Sequence, residues 1–71
     1  MDEKRIRKLI GLLSVEEIGH LQSLWRHGPR DSSDFASTPA ALKSLEVRDL
    51  VFTRGATVAL TYRGKLVARH L

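Results

Sequence analysis

Between Thr38 and Leu60 the chain changes its hydrophobic period, and that change limits the folds open to it. Ala41, Leu42 and Leu45 recur at helical spacing in Thr38-Pro39-Ala40-Ala41-Leu42-Lys43-Ser44-Leu45-Glu46-Val47-Arg48-Asp49-Leu50. Two β-prone runs, Leu50-Val51-Phe52-Thr53 and Thr57-Val58-Ala59-Leu60, follow without a linker around a basic tip, Arg54-Gly55-Ala56. Glycine at the tip supplies the positive φ that a tight hairpin needs, Val58 and Leu60 share a face that should be buried, and Arg54 has no local partner. A helix running straight into a basic ribbon is therefore expected over residues 38–60.

The rest of the chain reads as helices around that segment. Ile6, Leu9, Ile10 and Leu13 predict an amphipathic helix over about residues 3–13 with its bases on the wet side. Ser14 with Glu17 three positions on is a capping box, and Ile18, Leu21, Leu24 and Trp25 follow on one face. Gly28 and Pro29 end that helix. Whether the two helices are separate or one bent rod is left open by the pattern. Residues 29–37 are turn-rich and polar, with Phe35 expected to plug the core from a short helical turn. Thr38 before Pro39 predicts a helix start in which the hydroxyl accepts free amides. Thr61 is expected to cap a last helix from Tyr62 to Leu71. Trp25, Phe35, Phe52 and Tyr62 fall mostly at core-like positions, which disfavours an exposed platform for stacking RNA bases.

At 71 residues the chain reads as one domain, 1–71, burying roughly 60% of its unfolded surface, with no room for a deep catalytic cleft. It has no cysteine, so neither disulfides nor a thiolate zinc site supports the core. No segment approaches the roughly 18 apolar residues of a membrane span, and the charged start, Met1-Asp2-Glu3-Lys4-Arg5, is not that of a signal peptide; a cytoplasmic location and no membrane partner are expected. His20 and His27 are seven apart, too far for the i,i+4 pairing of metal ligands, and Asp31 and Asp34 beside Ser32 and Ser33 suit turn chemistry better than a calcium loop. No nucleophile elbow or phosphate-cradling glycine loop is present. An enzyme, a metal site and a cofactor are therefore not expected.

Net charge is +4, and its placement is uneven. Residues 51–71 hold Arg54, Arg63, Lys65 and Arg69 with no acid, residues 1–8 set four bases against Asp2 and Glu3, and the span between sets four bases against six acids. Clustered bases suit phosphate contact, although charges spread for solubility give a similar total. Projected at about 100° per residue, the helix of residues 38–48 turns Ala40, Lys43, Ser44 and Val47 away from Leu42 and Leu45. Small side chains there let a backbone approach a major groove, Lys43 and Arg48 reach phosphate or guanine, and Val47 meets a thymine methyl. An apolar, exposed Val47 fits a protein interface equally well.

Leu42-x-x-Leu45-Glu46-x-x-x-Leu50-Val51, the hairpin, and Leu60-Thr61-x-x-Gly64-x-x-x-Ala68 together resemble the helix–wing–helix segment of bacterial and phage winged-helix DNA-binding proteins, including repressors of the multiple-antibiotic-resistance type. The likeness covers about thirty residues, and its most specific element is Leu-Thr-x-x-Gly after the wing. Asp49 stands where such proteins usually carry glycine. The resemblance implies an α+β, mainly α fold, a small winged helix-turn-helix with a C-terminal two-stranded β-hairpin wing. It implies a bacterial or phage transcriptional regulator that binds double-stranded DNA, with residues 38–48 as recognition helix and the 51–60 hairpin as wing. By the same likeness the DNA contacts are Ser37, Thr38, Ala40, Lys43, Ser44, Val47, Arg48 and Arg54. Residues 3–13 offer a face for a homodimer if the protein is not a monomer, and a winged-helix module serving a protein partner without DNA is the alternative.

Overall fold

The structure is a computed structural model and describes residues 2–71; Met1, the first residue of the charged start, lies outside them. Four helices and a three-stranded antiparallel sheet make an α+β fold that is mainly α. Helix α1, Glu3–Leu12, begins at Asp2, whose side chain accepts the Arg5 amide at 2.8 Å. Leu13 leaves the helical region with φ −86° and ψ 145°, so the first two helices are separate. Helix α2, Val15–His27, carries the expected reciprocal capping box, with the Glu17 amide donating to Ser14 Oγ and the Ser14 amide to Glu17 Oε1, each at 3.2 Å. It stops at Gly28, whose φ of +78° a side chain would resist.

The chain then does something the sequence pattern did not indicate. Arg30–Asp31 form a short strand, β1, before a 3-10 turn over Ser32–Phe35. After α3 (Pro39–Val47) come β2 (Val51–Arg54) and β3 (Thr57–Leu60), and the sheet order is β1-β3-β2. The expected two-stranded, C-terminal hairpin is thus corrected: β3 is a central strand, paired with β2 from Val51↔Leu60 to Arg54↔Thr57 and with β1 through Arg30↔Val58. Two residues are too few to show a period of two, and the Ser32 amide bond to the Ala56 carbonyl at 2.6 Å completes the attachment. The last helix, α4, runs only from Tyr62 to Ala68, short of Leu71.

One core cluster takes residues from every helix, including Ile6, Leu9, Leu21, Leu24, Leu45 and Val67, together with Phe35, Leu50, Val51 and Val58. Each fully buried aliphatic side chain contributes roughly 1.5–3 kcal/mol. Helix α2 packs on α3, α4 and β3, so it braces both the helix and the ribbon that follows it. Phe35 is buried as expected and meets the His20 ring edge-on with centroids 4.8 Å apart. No helix among the described residues is long and apolar enough to cross a membrane.

Candidate nucleic-acid interface

Helix α3 is held at both ends by side chains from elsewhere in the chain. At its start, Pro39 occupies the first turn, where a missing amide costs nothing. Thr38 does not cap with its hydroxyl, as the sequence led one to expect; its Oγ1 lies 2.7 Å from His20 Nε2 on α2. Burial among these groups pushes the His20 pKa below its ordinary value, against a smaller opposing pull from Glu16 and Glu17. Half-way along, Ser44 Oγ donates to Glu17 Oε2 at 3.1 Å, so one buried carboxylate caps α2 and clamps α3.

At its end, α3 closes with two reversed bonds: the Leu50 amide donates to the Leu45 carbonyl at 2.9 Å and the Asp49 amide to the Glu46 carbonyl at 3.0 Å. This is the Schellman pattern, which needs a left-handed residue, and Asp49 supplies it with φ +60°. The turn is then buckled to α4. Thr61 Oγ1 donates to the Asp49 carbonyl at 2.5 Å and accepts the Gly64 amide at 3.0 Å, while the Thr61 amide donates to the Leu50 carbonyl at 3.1 Å. Gly64 is required here because a Cβ would overlap the Leu50 carbonyl oxygen. The Leu60-Thr61-x-x-Gly64 element thus pins the two ends of the hairpin together and fixes where the ribbon leaves α3.

Of the eight residues expected to contact DNA, five face solvent. Ser37 is exposed before α3, and Ala40, Lys43 and Val47 form an uncovered stripe along it, Val47 being 77% exposed. Arg54 is exposed beside the hairpin tip, where Gly55 has φ +61°. The other three are less exposed than the sequence projection implies. Thr38 is half-buried against His20, and Ser44 turns inward to Glu17 because its position lies on the flank that meets α2. Arg48 is half-buried, with its Nε enclosed and unpartnered among the described residues. Glu46, which the sequence reading passed over, is exposed one residue from Val47 and sets a negative charge beside the stripe.

The electrostatics of the surface follow from pairing. Among the described residues only Arg5, Arg7 and Arg30 have carboxylate partners, Asp2, Glu3 and Asp34. Lys43, Arg54, Arg63, Lys65 and Arg69 are exposed and have none. The aromatic residues depart from expectation: Trp25 is 47%, Phe52 46% and Tyr62 78% exposed, leaving Phe35 as the buried one. Helix α1 spends Ile6 and Leu9 on the core of its own chain, and its outer surface is charged apart from Gly11 and Leu12. No group of three or more His, Asp or Glu side chains among the described residues is placed to hold a metal ion. Comparison with family models, with curated proteins and with solved structures yields no match to this chain.

Proposed function

We propose that this chain is a small winged helix-turn-helix module that binds duplex DNA, in the manner of a bacterial or phage transcriptional regulator. The observation that carries this reading is the Ala40-Lys43-Val47 stripe, small, basic and uncovered, on a helix buckled to a hairpin with a free arginine at its tip. The strand order β1-β3-β2 supports it, since β1 anchors the ribbon to the segment before α3. So does the surplus of unpaired bases over residues 51–71. In this reading α3 enters the major groove, with Ser37 and Lys43 on phosphate or base edges and Val47 against a thymine methyl. Arg54 anchors the wing beside the minor groove. Thr38 and Ser44, engaged by His20 and Glu17 on α2, serve to position α3.

A titration of labelled duplex by fluorescence anisotropy at two salt concentrations tests the proposal. Binding should weaken steeply with salt, and Lys43→Ala and Arg54→Ala should each weaken it and lower the salt slope by about one. Affinity unchanged by both substitutions sinks the reading. The second reading, a winged-helix module for a protein partner, draws on the exposed Val47 and the exposed aromatic pair Trp25 and Phe52.

A further inference from the structure

A groove of about 490 Å³ opens between the end of α2 and the outer side of the hairpin, away from the α3 stripe in its lining. Leu24, Trp25 and Pro29 form one wall, Phe52 and Leu60 the other, and Lys65 of α4 stands at its edge. Its size lies within the ordinary range of roughly 300–1,000 Å³ for ligand sites. Trp25 and Phe52 are about half exposed there, an arrangement that leaves large aromatic area in water at a cost of tens of calories per Å².

The chemistry of the lining selects the occupant. Its polar side-chain groups are the Trp25 indole N–H and the Lys65 ammonium, both donors, and it contains no side-chain acceptor. Lys65 is exposed and, among the described residues, has no carboxylate partner; Arg69, which caps the end of α4 outside the groove lining, is likewise unpaired. A nucleobase presents donors as well as acceptors at its edge, and its donors would be desolvated against apolar walls. A second copy of the chain pairing groove to groove would bring two Lys65 ammoniums into one interface with no lining carboxylate between them. An apolar side chain flanked by carboxylates meets every requirement. We infer that this groove binds a short acidic peptide segment of a partner protein, with a leucine or phenylalanine seated between Trp25 and Phe52 and carboxylates on Lys65 and Arg69.

Trp25 is the single tryptophan, so its emission reports occupancy. The full chain is titrated with a tryptophan-free peptide carrying a Leu-Phe core between glutamates, with the same peptide flanked by lysines, and with oligothymidine. A saturable blue shift is expected with the acidic peptide, with binding about tenfold weaker or worse on exchange of its flanks and none to oligothymidine. Lys65→Glu should reverse the preference between the two peptides, and Phe52→Ser, at an exposed position, should weaken both, with thermal unfolding recorded to show each variant folded. Equal response to both flanks, no response, a response to oligothymidine alone, or a concentration-dependent shift without peptide that sedimentation traces to self-association would each overturn the inference. A chain carrying Lys43→Ala and Arg54→Ala should keep the peptide response, so failure of the DNA reading and failure of this one are separable.

Discussion

Asp49 and His20 show how single residues set the geometry of α3 and what each costs. Asp49 holds a left-handed turn that glycine would hold with less strain, and the bond from Thr61 reaches its backbone carbonyl, which any residue supplies. Asp49→Gly should therefore raise stability by about 1 kcal/mol. In a chain of this length that is an increase of roughly 4–8 °C in the thermal midpoint, and an unchanged or lower midpoint would contradict the strain argument. His20 acts in the opposite sense. Its folded-state pKa is lowered by burial beside Phe35 and Thr38, so below the ordinary imidazole value of about 6.5 the unfolded chain binds a proton that the folded chain resists. Stability should fall as pH drops through that value and level off once the folded state also protonates. Denaturant unfolding of the wild type and His20→Gln across this window measures it; the substitution should flatten the slope, and parallel curves would remove His20 as the cause.

Among the elements, those whose ends are written in side-chain chemistry were legible in advance. Ser14 with Glu17, Gly28 with Pro29, Thr61 three residues before Gly64 and the Gly55 tip each satisfy or end a backbone ladder locally, so the sequence carries their signal. Strand β1 was not legible, because its two residues gain strand geometry only by pairing with Val58 and Thr57 far along the chain. The inward turn of Ser44 and the diversion of Thr38 to His20 are likewise tertiary: each hydroxyl chose a partner on α2 that spacing within α3 does not reveal. Exposure of Trp25 and Phe52 escaped for the same reason, since a helical or alternating pattern does not say how far the neighbouring element extends. The Thr61 buckle invites a test at this scale. Thr61→Val removes the donor to Asp49 and the acceptor for Gly64 with little change of shape, which should cost roughly 1–3 kcal/mol. Amide exchange in β2 and β3 should quicken more than in α2, and uniform quickening would show that the buckle does not specifically hold the hairpin.

At the scale of the whole molecule, a small core carries a surface on which most bases have no acidic partner among the described residues, and the fold assigns the exposed ones to distinct places. The α3 stripe and hairpin tip hold Lys43 and Arg54, whereas Lys65 borders the aromatic groove and Arg69 follows it four residues on. The first pair suits duplex phosphates and the second an acidic peptide, which makes the two surfaces independently testable. The most direct measurement is a map of backbone amide shifts as unlabelled duplex DNA is added to the isotopically labelled chain. The largest changes are expected at Ser37, Ala40, Lys43 and Val47 and around Arg54 and Gly55, diminishing as salt rises. Absence of change on that surface, or changes confined to Trp25, Phe52 and Lys65, would contradict the DNA reading.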